Sequence, residues 1–276
     1  MSNRKWPLGS IMSLKALIEG KWADYAAMGL DTVQVGLPYD LEVTEEATRA
    51  LTEANKALPQ VSMILSWSGP AVWDFIEGPA TLGIVPLKYR TERVAQLKAQ
   101  LDFVGACGVK LISTHAGFIP ESPNDPAYAG VVNTLRELAD YAAQYGIWYN
   151  LETGQETPTT LRRVIIDTGA KNIGINLDPA NLMMYGKANP VDSLDVFGKY
   201  VGGVHGKDGL YPTDGNRLGK ETPLGQGKVN YPLFIRRLKE VGYTGPITIE
   251  REISGDQQTK DILEGKALLE RLIAEP

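Results

Sequence analysis

Only one cysteine, Cys107, and two histidines, His115 and His205, occur in 276 residues. A lone thiol excludes an intrachain disulfide and the thiolate clusters that hold structural zinc or iron–sulfur centres. Set in Phe103-Val104-Gly105-Ala106-Cys107, it reads as a small buried hydrophobe. Basic excess is missing too: 28 Lys and Arg against 33 Asp and Glu leave a net charge of −5, which counts against a nucleic-acid surface. No stretch approaches the roughly 18 apolar residues of a membrane span, and Met1-Ser2-Asn3-Arg4-Lys5-Trp6-Pro7 lacks the apolar core of a secretory signal. The expectation is a cytoplasmic protein with neither nucleic acid nor membrane as partner; homo-oligomerisation is left open.

What is present is alternation. Short apolar or β-branched runs at Ser10–Met12, Thr32–Val35, Val61–Ser66, Leu111–Thr114, Ile147–Leu151, Ile173–Leu177, Val201–Val204 and Ile247–Ile249 read as strands. Between them, 13–28, 44–57, 90–106, 127–145, 158–167, 190–199 and 231–241 read as helices, and 257–274 closes the chain. Apolar positions at three- and four-residue spacing, as in Val94, Leu97, Leu101 and Val104, support this. Gly29, Gly108, Gly146 and Gly242 punctuate helix ends, where glycine relieves a left-handed backbone. Strict alternation over about 250 residues predicts a single (β/α)8 barrel, an α/β fold, spanning 1–276. A doubly wound open sheet is the rival, but no glycine-rich dinucleotide fingerprint follows the first strand. The long Gly/Pro-rich segments 68–89 and 209–230 each follow a strand and are expected to cover the barrel mouth.

Four of the last strands end in metal-ligand types. Glu152 follows Trp148-Tyr149-Asn150-Leu151, Asp178 follows Ile173-Gly174-Ile175-Asn176-Leu177, His205 follows Val201-Gly202-Gly203-Val204, and Glu250 follows Ile247-Thr248-Ile249. Any one carboxylate in such a place is more often a helix cap. Four in consecutive units would converge at one side of the barrel mouth. Three carboxylates and one imidazole form a hard O/N donor set that suits Mn²⁺ first, with Co²⁺, Mg²⁺ or Zn²⁺ as alternatives. Around it, His115 after the fourth strand, Trp67 after the third, Lys207 and Arg251 are candidates for substrate contact. Each has a blander reading: structural hydrogen bonding, core packing, or ion pairing with Asp208 or Glu252. Glu156 reads as the start of a helix.

The segments Leu177-Asp178-Pro179-Ala180-Asn181-Leu182, Val204-His205-Gly206-Lys207-Asp208, Pro223-Leu224-Gly225-Gln226-Gly227-Lys228-Val229 and Gly245-Pro246-Ile247-Thr248-Ile249-Glu250-Arg251-Glu252 resemble the sugar phosphate isomerase/epimerase family of xylose isomerase-like barrels. The likeness is densest from about residue 110 onward and is specific for the superfamily and its metal site, not for a substrate. It implies that Glu152, Asp178, His205 and Glu250 are the four metal ligands and that Glu152 and Glu250 double as the acid/base pair. Two positions depart from the ketose 3-epimerases of the superfamily. Asn181, a substrate-contact candidate, stands where they carry histidine, and Tyr211 stands where they carry arginine. Both departures count against a free-ketose 3-epimerase.

The resemblance implies a divalent-metal-dependent isomerase or epimerase of carbohydrate metabolism, acting on a small keto-sugar or derivative through a cis-enediolate. The same site would support elimination from a keto-inositol or 3-keto-glycoside. A non-catalytic carbohydrate-binding barrel is the reading from another class, and three grouped carboxylates argue against it. Endonuclease IV, of the same superfamily, uses a histidine-rich zinc cluster, for which two histidines are too few.

Overall fold

The structure is a computed structural model and describes residues 6–276. Eight parallel strands close a barrel: β1 (Leu8–Ser13), β2 (Thr32–Gly36), β3 (Ser62–Ile64), β4 (Leu111–Thr114), β5 (Trp148–Glu152), β6 (Ile173–Leu177), β7 (Val201–Gly206) and, after a small excursion, β10 (Ile247–Ile249). Closure comes from β1 pairing with β10, where Leu8 stands opposite Ile247 and Ser10 opposite Ile249. The expected (β/α)8 architecture is therefore present. Cys107 is buried and free, as its apolar surroundings indicated.

The helices in order are α1 (Leu14–Ile18), α2 (Trp22–Ala27), α3 (Glu45–Ala57), α4 (Gly78–Thr81), α5 (Leu87–Ala106), α6 (Tyr128–Ala143), α7 (Pro158–Thr168), α8 (Pro179–Met184), α9 (Pro190–Phe197), α10 (Tyr231–Glu240) and α11 (Asp256–Ala274). From α7 to α10 each begins with a polar cap and a proline in its first turn, the caps being Thr157, Asp178, Asn189 and Asn230. Proline lacks an N–H that would be orphaned there, and the cap side chain accepts another of the orphaned donors. Among the described residues, no helix is long and apolar enough to cross a membrane.

Three differences from the sequence-based expectation have physical causes. The helix expected over 13–28 is two short helices, interrupted where Gly20 adopts a left-handed φ of 76°. The 68–89 segment is not wholly irregular, since it contains α4 and ends inside α5. The 209–230 segment starts and returns through a two-stranded antiparallel sheet, β8 (Asp208–Gly209) and β9 (Glu221–Thr222). The local sequence of these segments shows no two- or three-residue periodicity long enough to announce such short pieces.

One side chain holds the 68–83 segment in place. Arg93 on α5 is fully buried. Its guanidinium donates to four carbonyls of that segment: Ser68 (3.0 Å), Pro70 (3.0 Å), Thr81 (2.6 Å) and Gly83 (2.6 Å). Tyr89 and Trp67 flank it with ring centroids 4.7 and 5.7 Å away. The charge is thus solvated by backbone dipoles, a task for which five rigidly forked donors are suited and a lysine is not. Gly83 completes the docking, because a Cβ there would lie 1.9 Å from the Ala116 carbonyl oxygen.

Replacing Arg93 with methionine strands those carbonyls, at about 1–3 kcal/mol for each one left unpaired in the interior. The expected outcome is a stability loss of roughly 3 kcal/mol or more, read from the urea midpoint. Preferential proteolytic nicking between residues 69 and 83 should accompany it. A variant whose segment stays as protected as the wild type would show that Arg93 does not hold it.

Candidate metal centre

Glu152 ends β5, Asp178 follows β6, His205 lies within β7, and Glu250 follows β10. His205 was expected just past its strand; the pairing of Gly206 with Ile249 carries β7 beyond it. Because β5, β6, β7 and β10 are consecutive neighbours in the barrel, the four side chains meet. One ligand-type atom from each lies within 4.8 Å of the others. His205 Nδ1 is the hub, 2.9 Å from Glu250 Oε2, 3.2 Å from Glu152 Oε1 and 3.5 Å from Asp178 Oδ2.

Three supports fix this geometry, and two of them lie outside the expected residues. Gln34 on β2 accepts from His205 Nε2 (2.8 Å), which leaves Nδ1 facing the carboxylates. The only hint in the sequence is a polar residue in the otherwise apolar Val33-Gln34-Val35. Thr153 locks the ends of β5 and β6: its hydroxyl donates to the Asp178 carbonyl (2.8 Å) and accepts the Asp178 N–H (2.9 Å). Asp178 itself combines the bland role with the functional one. Its Oδ1 accepts from Asn181 N (2.8 Å) and caps α8, while Oδ2 turns to the cluster.

Charge is crowded here. Burial opposes ionisation of Glu152, yet His205 and His115 hold its carboxyl well below the usual range. Burial also raises Glu250, but Lys207 and His205 bring it down to about 2. Asp178 ends up raised, because burial outweighs Lys207. Burial would lower His205, and Glu152 and Glu250 reverse that to hold it well above the imidazole norm. Asp178 Oδ2, His205 Nδ1 and Glu250 Oε2 are buried and find no partner in hydrogen-bond geometry. Orphaned, converging O and N atoms with surplus negative charge are what a divalent cation satisfies, so the residues fit such an ion.

Two of the four, Glu152 and Glu250, line a cavity of about 500 Å³. His115, Glu152, Asn181, Lys207, Glu250 and Glu252 supply its polar wall. Ile64, Trp73, Met184, Tyr185 and Leu218 supply the apolar one. Both long segments thus reach the mouth, through Trp73 and Leu218. A larger groove of about 960 Å³ beside Leu14 and Leu37 contains none of the four clustered residues.

Of the substrate-contact candidates, His115, Asn181 and Lys207 line the cavity, and Trp67 and Arg251 do not. His115 Nε2 is 3.4 Å from Glu152, and its Nδ1 is 3.3 Å from Gln155 Oε1. Trp67 lies against Arg93; Trp73, which the sequence did not single out, takes the wall position with its ring edge-on to His115 at 4.9 Å. Arg251 is held by Asp261 (2.7 Å) and Glu221 (2.6 Å), which commits its guanidinium to the outside of the barrel end. Asp208 is not the partner of Lys207. It accepts the backbone N–H groups of Gly209, Gly225, Gly227 and Val229 and so shapes the 223–229 turn. Tyr211 is exposed and donates to the Gly186 carbonyl (3.1 Å).

Comparison with known proteins agrees with the barrel fold. The xylose isomerase-like TIM barrel family matches residues 22–272. The crystal structure of a xylose isomerase domain protein from Planctomyces limnophilus superposes with a TM-score of 0.88, at 36% identity over 97% of both chains. A protein of Methanocaldococcus jannaschii is 30% identical over 167 residues, 56% of this chain and 55% of its own. An L-ribulose 3-epimerase from a Methylomonas species is 30% identical over 151 residues, 52% of this chain and 48% of its own. The chain thus spans about half the length of these two relatives.

Two expected outcomes follow. Mn²⁺ added to EDTA-treated protein should raise the melting temperature, since a ligand held only by the native state stabilises it by mass action. Asp178→Asn should abolish most of that rise, and an equal rise in wild type and variant would place the ion elsewhere. The second concerns Glu156, which is fully buried with both carboxylate oxygens unpartnered, and which burial raises from 4.5 to about 8. The folded state therefore holds its proton where the unfolded chain has lost it. Its destabilising effect is absent below about pH 4.5, grows through the window up to about 8, and is complete above. Glu156→Gln should gain stability over wild type across that window, by at most ~1.4 kcal/mol per pH unit. Urea midpoints in EDTA that differ by the same amount at every pH would count against it.

Proposed function

The chain belongs to the xylose isomerase-like TIM barrel family, and from that premise we propose that it is a divalent-metal-dependent isomerase or epimerase acting on a keto-sugar or sugar derivative. One observation carries the reading. Of the four clustered residues only Glu152 and Glu250 line the cavity, while Asp178 and His205 lie behind them, fully buried. Two carboxylates within reach of a substrate, backed by two that are not, divide the labour between proton transfer and holding an ion. The epimerase relative from Methylomonas supports the same chemistry.

An ion held by Glu152, Asp178, His205 and Glu250 would polarise a substrate carbonyl and stabilise the enediolate formed beside it. Glu152 and Glu250 remain ionised near neutral pH, because His205, His115 and Lys207 outweigh their burial, so each is competent as a base. One removes the proton from the carbon next to the carbonyl. The other, once it has taken a proton from the donor beside it (His115 at Glu152, Lys207 at Glu250), returns that proton to the opposite face and inverts the carbon, while delivery to the former carbonyl carbon exchanges ketose for aldose. His115, 3.4 Å from Glu152, and Lys207, 3.3 Å from Glu250, are placed to orient those carboxylates and to meet substrate hydroxyls.

Elimination is a second reading, favoured by those same two groups. A departing β-hydroxyl must take up a proton to leave as water, and His115 and Lys207 are the basic side chains lining the cavity that could supply it. Product analysis separates an epimer or aldose from a dehydrated enone.

Glu152→Gln and Glu250→Gln keep a coordinating oxygen and remove a base. Each variant is expected to retain much of its metal and to lose turnover by roughly a hundredfold or more. The measurement is NMR-detected uptake of deuterium from D₂O at the carbon beside the carbonyl. Wild-type uptake in both variants would move the acid/base role to His115 or Lys207.

A further inference from the structure

We propose that this cavity selects uncharged substrates, a neutral keto-sugar or keto-glycoside in preference to a sugar phosphate, and that Glu252 enforces the choice by occupying Lys207. The inference rests on the proposed function for the location of the substrate, and on the charges around the cavity for its class.

A phosphoester brings up to two negative charges that must be desolvated on binding, which is costly without a cation or donors to receive them. Lys207 is the only lysine or arginine among the described residues that line the cavity. Its ammonium is already committed: Nζ lies 2.8 Å from Glu252 Oε1, 3.3 Å from Glu250 Oε2, 3.5 Å from Asn181 Oδ1 and 3.7 Å from Asp178 Oδ2. Glu252 and Asn181 take two of its N–H groups, and the carboxylates of Glu250 and Asp178 beside it offset its charge, so a phosphate would meet an ammonium already balanced by anions. His115, the other group there that can carry positive charge, has both ring nitrogens beside Glu152 and Gln155.

The neighbouring cations are not among the residues that line the cavity. Arg251 is held by Glu221 and Asp261. Lys187 lies over the Phe118 ring at 5.7 Å. Arg217 and Lys220 are exposed in the 209–230 segment, next to the lining residue Leu218, with Arg217 3.7 Å from Asp214. Against these, Glu152, Glu250 and Glu252 all present carboxylates to the cavity. A divalent ion would be spent on neutralising its own three carboxylates and leave them one charge in excess. Opposite them, Trp73, Met184 and Leu218 offer an apolar wall suited to the C–H face of a sugar or to a glycosidic substituent.

Glu252 is the part of this arrangement that can be changed without touching the clustered four. It holds Lys207 with the shortest of the ammonium contacts, yet it is itself largely exposed. Removing its charge therefore adds one net positive charge at the mouth and weakens the hold on Lys207.

The test uses the Mg²⁺-loaded protein, wild type and Glu252→Gln, with calorimetry and solvent-deuterium exchange on a panel of keto-sugars, keto-glycosides and their phosphate esters. Inorganic phosphate serves as a probe that is independent of sugar identity. In the wild type each neutral ligand is expected to bind at least tenfold more tightly than its ester, with no thermal protection by phosphate. In Glu252→Gln that ratio should shrink by about tenfold and phosphate should protect, with Mg²⁺ affinity unchanged. Wild type binding an ester as tightly as its neutral parent, or protected by phosphate, overturns the selection. A ratio and a phosphate response unmoved by the substitution overturn the role of Glu252. If neutral ligands are preferred but no deuterium is taken up from any of them, the enediolate chemistry fails and the charge selection stands; exchange in the esters at parity or better has the opposite meaning. Binding of neither class overturns both.

Discussion

Three carboxylates and an imidazole packed at one end of a barrel cannot coexist without positive charge, and much of the structure around them is arranged to supply it or to hold them together. His205 Nδ1 sits within 3.5 Å of all three carboxylates. Its raised proton affinity comes from Glu152 and Glu250 prevailing over burial, whereas burial itself raises Asp178. Lys207 adds a second cation from the side, buried to an extent that no solvated lysine would accept without such partners. A divalent ion satisfies the same demand more completely, because it brings two charges and a coordination sphere for the orphaned atoms.

The scaffold explains why this crowding is tolerated. Parallel strands bring the ends of β5, β6, β7 and β10 side by side without any helix having to pay for the repulsion. Thr153 ties β5 to β6, and Gln34 reaches across the barrel interior from β2 to set the imidazole. The mouth is built on the same plan, with polar side chains satisfying backbone groups of long segments. Arg93 gathers four carbonyls of the 68–83 segment, and Asp208 gathers four N–H groups around the 209–229 turn. One is a buried cation on carbonyls, the other a buried anion on amides. Both make an irregular loop behave as a rigid wall, so Trp73 and Leu218 can face the cavity from fixed positions.

Charge around the cavity then limits what the site accepts. The clustered carboxylates repel anions, and Lys207 offsets part of their charge. Asn181 and Tyr211 fit that picture: Asn181 contributes a neutral amide at the cavity wall, and Tyr211 points to the Gly186 carbonyl instead of offering a cation. The proposed preference for a neutral ligand would arise from the same crowding that fits the cluster to a divalent ion.

The chain alone determined the barrel and the quartet at its strand ends, for a physical reason: both are written in local patterns. Alternating strands and helices have their own periodicities, and a parallel barrel turns the residue after each strand into a rim residue, so Glu152, Asp178, His205 and Glu250 could be read as neighbours from their strand-end positions. Tertiary structure alone decided the rest. Gln34 is over a hundred residues from the histidine it orients, and only barrel closure brings β2 opposite β7. Trp73, and not Trp67, reaches the cavity because Arg93 folds the segment between them back on itself, a long-range clasp with no periodic signature. Lys207 chose Glu252 over its sequence neighbour Asp208 because successive residues around β8 point to opposite sides, and the Asp208 carboxylate found four amide donors in the returning turn.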